Sequence, residues 1–236
     1  IRDYGSSVIV NLDVGTLVNH SADELLNYAN AALLGNEIIQ FINAELLDTN
    51  TYKLSGLLRG RNGTEQYTTG HTAGERFVLL SSSAINVLAI NNTYWYTNML
   101  YKVGPRNEGI LSADYRDVTF SPQGIIKKPW YPCHILGTRD ASGNLTITWI
   151  RRTRSGGAWK DYSDAPLSEN YERYDIEILA TDGSTIKRSG SSSEAKFSYA
   201  AADQIADFGS VQSRVKARIY QISDVRGRGW PAEEVV

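Results

Sequence analysis

Val8, Val10, Leu12 and Val14 alternate with Ser7, Ile9, Asn11 and Asp13, and the same two-residue spacing returns at Leu145, Ile147 and Trp149, at Tyr174, Ile176 and Ile178, and at Val215, Ala217 and Ile219. A side chain that comes back to the same side at every second position belongs to a strand with one buried face, whereas a helix spaces its apolar residues three or four apart. The chain is therefore expected to be all-β. Its 20 glycines, 14 tyrosines and single methionine agree, because short Val/Ile/Tyr/Thr-rich runs recur between turn residues.

Proline marks the organisation. Pro105, Pro122, Pro129 and Pro132 are four of the six prolines, and none precedes Pro105. Proline punctuates elements, so the junction is expected between Gly124 and Pro129, with a β-rich domain over 1–124 and a second domain over 129–236. Two domains suit a chain of 236 residues. A short, proline-stiffened connection favours a set angle over a loose tether.

In the first domain, Ser21 with Glu24 three residues on has the pattern of a capping box and predicts a short helix. Glu37 to Leu47 and Tyr52 to Arg59, separated by Asp48-Thr-Asn-Thr51, predict a hairpin. Phe77 to Leu80 and Tyr94 to Val103 add strands, and a closed or nearly closed β-barrel would remove the edges of such a set. In the second domain the three apolar rows predict a sandwich core with Trp149 at its centre. The strand of Tyr174 is expected to pair with that of Val215, setting Asp175 and Glu177 opposite Arg214, Lys216 and Arg218.

Charge and reactive residues narrow the function. Lys and Arg number 24 against 26 Asp and Glu, and neither half is strongly basic, which disfavours phosphate binding and nucleic acid. No apolar run approaches the roughly 20 residues of a membrane span, and no signal segment opens the chain. The start at Ile1 without an initiator Met suggests part of a longer polypeptide. One cysteine, Cys133, cannot form an intrachain disulfide. The three histidines, His20, His71 and His134, show no metal-ligand spacing, so neither a metal nor another cofactor is expected. His71, four residues before Glu75, reads as a loop histidine bonding backbone groups. Cys133 beside His134 is no dyad, because strand neighbours point to opposite faces. Gly56, Gly60 and Gly63 fit turns better than a phosphate loop. No catalytic residue stands out, and the chain is not expected to be an enzyme.

The stretch Leu54-Ser-Gly-Leu-Leu-Arg-Gly-Arg-Asn-Gly-Thr-Glu65, with Ala31-Ala-Leu-Leu-Gly-Asn-Glu-Ile-Ile-Gln-Phe41 before it and His71-Thr-Ala-Gly-Glu-Arg-Phe-Val-Leu-Leu80 after it, resembles the C-terminal part of the tail-tip hub, or host-specificity, protein of gene transfer agents and siphophage-like tails. Trp149 to Arg154, Tyr174 to Ile178 and Val215 to Gln221 extend the resemblance in order. It implies an N-terminal β-barrel-like hub domain followed by a fibronectin type III-like β-sandwich. The implied role is structural, in a phage tail or baseplate hub, with the chain assembled in the bacterial cytoplasm into a virion tail. Implied partners are other tail-tip proteins and further copies of the chain, as a trimer. The alternative is an adhesin module that binds a host-surface glycan.

Candidate interface residues follow from chemistry and loop placement. Arg59 and Arg61 flank a glycine, where planar guanidinium forks could bridge carboxylates of a neighbouring subunit. The connection from Thr153 to Glu172, with Arg154, Trp159 and Tyr162, is expected at the same pole as Asp224 to Trp230, with Arg226, Arg228 and Trp230. Arg and Trp dominate interface hot spots, and Trp also stacks on sugar rings.

Overall fold

The computed structural model describes residues 1–81, 85, 87–157 and 162–236. The chain divides into two compact units, Ile1–Leu88 and Ala89–Val236. The junction read from the prolines falls inside the second unit, just ahead of its sandwich.

The first unit is built on strands β1 (Arg2–Asn11), β2 (Ala31–Leu34), β3 (Glu37–Asp48), β4 (Thr51–Leu58) and β5 (Phe77–Leu79), in the antiparallel order β1-β4-β3-β2-β5. The expected hairpin is β3–β4, turning at Thr49-Asn50 with Asn50 at φ 57. Helix α1 (Ala22–Leu26) carries the capping box, since the Ser21 hydroxyl accepts from Glu24 N–H and the Glu24 carboxylate accepts from Ser21 N–H. Leu17, Ile39, Phe41, Tyr52, Leu54 and Leu57 are central to the core.

The expected barrel is corrected: β1 and β5 are the edges of this sheet, and it does not close. The reason is visible in the pairing. Met99–Val103, the run that would have continued the sheet, instead forms β6 and pairs locally with β7 (Arg116–Phe120) in the second unit. Closing a nearby hairpin costs less chain entropy than a long-range pairing.

The rest of the second unit is a two-sheet sandwich. One sheet contains β8 (Cys133–Arg139), β9 (Leu145–Ile150) and β12 (Lys196–Tyr199), ordered β12-β9-β8. The other contains β10 (Tyr174–Leu179), β11 (Ile186–Ser192), β13 (Lys216–Ser223) and β14 (Gly227–Val235), ordered β11-β10-β13-β14. A single core draws on both, joining Ile147, Trp149, Tyr174, Ile176, Ala217 and Ile219. Trp149 meets Tyr174 edge to face, centroids 5.0 Å apart at 74°. The expected pairing of the Tyr174 and Val215 segments is β10–β13, with Ile176 opposite Ile219. Helix α2 (Ala201–Phe208), between β12 and β13, has no counterpart in the sequence reading.

Candidate functional site

Most of the converging polar chemistry of the first unit gathers around Glu37. Its carboxylate is fully buried at the start of β3, where solvent cannot pay for the charge, so the protein must. Oε1 accepts from Arg59 Nε at 2.9 Å and Gly60 N–H at 2.6 Å, and Oε2 from Arg59 Nη2 at 2.7 Å and His71 Nε2 at 2.8 Å. Gly60 sits at φ 61, and a Cβ there would stand 2.9 Å from the Glu65 backbone, so glycine is what allows this turn to aim its N–H at Glu37.

His71 is the second half of the cluster. Its Nδ1 lies 2.6 Å from Glu75 Oε2, and the other Glu75 oxygen accepts from Thr72 N–H at 3.1 Å. A ring with a carboxylate at each nitrogen satisfies both only as the imidazolium. The Glu75 hydrogen bond, then that of Glu37, raises the His71 pKa above its ordinary value, while His71 and the Thr72 N–H hold the Glu75 carboxyl below the usual range. His71 thus bonds two carboxylates, not the backbone groups expected of it. The His71–Glu75 spacing was the sequence signal for half of this; Glu37, one acid opening the apolar run Ile38-Ile39-Gln40-Phe41, was the unread half.

A cleft of ≈ 290 Å³ adjoins the cluster, with Ser6, Ser7 and Val8 of β1 on one wall, Thr68, Gly70 and His71 on another, and Leu34, Ile39 and Leu57 among its apolar lining. Arg59 and His71 face it, but with polar atoms already engaged. Arg59 also donates from Nη2 to Thr68 O at 2.8 Å and lies 3.5 Å from Asp3.

Arg61 is likewise turned inward. Its Nε donates to Gln40 Oε1 at 2.7 Å, and the Gln40 amide, fully buried, donates to Leu25 O at 2.6 Å and Ala29 O at 2.8 Å. Arg61 and Gln40 thereby staple the carboxyl end of α1 to β3. Arg59 and Arg61 hold together the unit that carries them.

In the second unit the two loops expected at one pole do meet there, through the Asn170 amide and the Asp224 carboxylate. Arg154 is held by Glu169, with Nη2 to Oε1 at 2.7 Å, and the Glu169 side chain is itself buried. Tyr162 is fully exposed at φ 58. Trp159 lies outside the described residues. Arg226 stacks over Trp95 and Tyr96, 5.6 Å and 5.2 Å from their centroids. Trp230 lies beneath the Lys128 ammonium at 3.6 Å, a site where burial pushes the Lys128 pKa down.

Arg228 belongs to a charge ladder across the β10-β13-β14 face. Lys216 and Arg218 contact Glu233 at 2.7 Å and 2.5 Å, Arg218 reaches Glu177 at 3.3 Å, and Arg228 contacts Glu177 at 2.6 Å and Asp175 at 2.8 Å. The compensation expected from sequence is present between Arg218 and Glu177, which are directly opposed; Lys216 instead pairs with Glu233 and Asp175 with Arg228, both partners supplied by β14. Cys133 and His134 depart from the flat-strand geometry assumed for them: His134 has φ 52 at a bulge between Cys133 and Leu136.

Residues 1–78 match the family model described as Rcc01698-like, C-terminal. This chain is similar to that family over about the first third of its length. No curated protein matches. Among solved structures, similar ones are domains d3–d4 of the rat CD45 extracellular region (15% identity over 82% of this chain and 93% of that one, TM-score 0.34). The FN5 domain of Drosophila Lar gives 12% identity over 46% of this chain and 94% of that one, TM-score 0.29. Titin domains A168–A170 give 12% identity over 87% of this chain and 52% of that one, TM-score 0.33.

Proposed function

We propose that this chain is a structural part of a phage-like tail tip or baseplate hub, placed in the virion tail, where it joins other tail proteins and further copies of itself. The observation that carries the reading is the coincidence of two similarities on one piece of fold. The Gly-Arg loop Leu54–Glu65 with its flanking strands resembles tail-hub proteins, and the Rcc01698-like match spans the same unit. The side-chain chemistry supports a scaffold over an enzyme. A general base needs a free lone pair, and both ring nitrogens of His71 are occupied by carboxylates. Glu37 is fully buried and bonded on both oxygens, so its lone pairs are directed at Arg59, Gly60 and His71 and not at a substrate.

Host-surface contact is the secondary part of the proposal. Tyr162 is completely exposed on the connection that also carries Trp159, at the pole where Asn170 meets Asp224. Aromatic rings of this kind stack on sugars or fill protein pockets. Among the described residues no helix is long and apolar enough to cross a membrane.

Antibody raised against the purified chain, applied to particles from a producing culture and imaged by electron microscopy, is expected to label the tail tip. Particles without label, combined with glycan binding by the chain in solution that is lost in Tyr162→Ala, would replace the hub by the adhesin alternative.

A further inference from the structure

The β6–β7 hairpin is a two-stranded sheet of its own. Directly opposed residues share a face, and the register puts Met99 with Phe120, Tyr101 with Val118 and Val103 with Arg116 on one side. The other side holds Leu100 with Thr119 and the ion pair of Lys102 with Asp117, 2.8 Å apart. The hairpin is thus amphipathic, yet the apolar side stays open: Val103 is 61% exposed, Val118 48% and Phe120 53%. A lone two-stranded ribbon is marginal in water and gains independent stability when further strands extend its apolar face.

The two edges differ. Every residue of β7 is exposed, whereas Met99 and Tyr101 of β6 are half-covered. Among the described residues β7 pairs only with β6, so its outer backbone groups form an open template. The order Arg116-Asp117-Val118-Thr119-Phe120 also suits pairing with itself. An antiparallel copy centred on Val118 sets Val118 against Val118, Asp117 against Thr119 and Arg116 against Phe120. No like charges meet, a guanidinium comes to an aromatic ring, and the two apolar faces become one.

We propose that β7 pairs edge to edge with β7 of a second copy of this chain, about a twofold axis through Val118, to give a four-stranded sheet. Twofold dimers are the commonest closed assembly, and an isologous contact needs only the one patch present here. The pairing stands apart from the tail-tip reading, and either can fail without the other.

Sedimentation of the full chain over a concentration series is expected to show a monomer–dimer equilibrium. Val118→Arg, which sets two like charges across the axis, is expected to lose the dimer while keeping the circular dichroism spectrum of the parent. In a Cys133→Ser background, which removes the chain's one native cysteine, Val118→Cys is expected to form a covalent dimer on mild oxidation. Opposed Cα atoms about 4.5–5.5 Å apart across antiparallel strands lie within disulfide range. Lys102→Cys, on the inner strand, is expected not to. A wild-type chain that stays monomeric, a trimer in place of a dimer, or a dimer unaffected by Val118→Arg overturns the proposal.

Discussion

His71 stands between Glu37 and Glu75, 2.8 Å from one carboxylate through Nε2 and 2.6 Å from the other through Nδ1, and so ties the loop ahead of β5 to the buried start of β3. The bridge depends on the imidazolium. With its folded pKa raised above the unfolded value near 6.5, His71 contributes stability fully below that pH and loses it as pH rises through the folded pKa. Glu75, held low, behaves oppositely: its contribution is present above about pH 4.5 and is lost as pH falls through its folded pKa. Denaturant midpoints for the first unit are therefore expected to peak at about pH 5–6.5 and fall on both sides. In His71→Gln the decline above pH 6.5 should vanish; if it persists at full size, another group titrates there.

Arg59 is the main counter-charge of a carboxylate that sees no solvent. Removing one partner of a buried pair strands the other, so Arg59→Ala is expected to cost about 3–5 kcal/mol in the first unit. Arg59→Lys should recover only part, because an ammonium lacks the fork that engages Glu37 while also reaching Thr68 O. Urea unfolding followed by a probe in the first unit measures both. A loss below about 1 kcal/mol for the alanine variant would place Glu37 in contact with water.

How much of this was legible from sequence depends on whether the cause was local. Ser21 and Glu24 announced α1 because a capping box is complete within four residues. Leu145, Ile147, Trp149, Tyr174, Ile176, Ile178, Val215, Ala217 and Ile219 all entered one core because period-two alternation fixes which side chains share a face. What alternation does not fix is the partner of a strand. Met99–Val103 reads the same whether it closes a barrel or pairs with Arg116–Phe120. The Glu37 cluster was hidden for a similar reason: Glu37, Arg59 and His71 come from three separate segments, and only the assembled sheet brings them together.

Gly229 fixes the approach to the sandwich. A Cβ there would lie 2.7 Å from Pro129 O and 2.9 Å from Gln221 O, both backbone atoms with little room to give. The same contact lets Trp230 N–H donate to Pro129 O at 2.9 Å. Gly229→Ala is expected to break that bond, lift the Pro129 segment from β14 and lower the melting temperature of the second unit. Gly109→Ala, where an added Cβ meets nothing within 4 Å, is the matched control and should melt like the parent. Equal melting of both variants would mean the Pro129 segment yields without cost.

Trp149 tests the sandwich core itself. It is 4% exposed and packed edge-on against Tyr174, so truncation to alanine leaves a cavity that two facing sheets cannot collapse, at a cost of about 3–5 kcal/mol. The indole Nε1 adds a second consideration, since among the described residues it is buried without a hydrogen-bond partner. Trp149→Phe keeps an aromatic ring against Tyr174 and deletes an N–H that makes no hydrogen bond of regular geometry among the described residues. Its cost is therefore expected to be smaller, about 1–2 kcal/mol, from lost volume alone. Thermal unfolding of the two variants separates the terms. If phenylalanine costs as much as alanine, the indole N–H has a partner after all and polar satisfaction, not packing, dominates at this position.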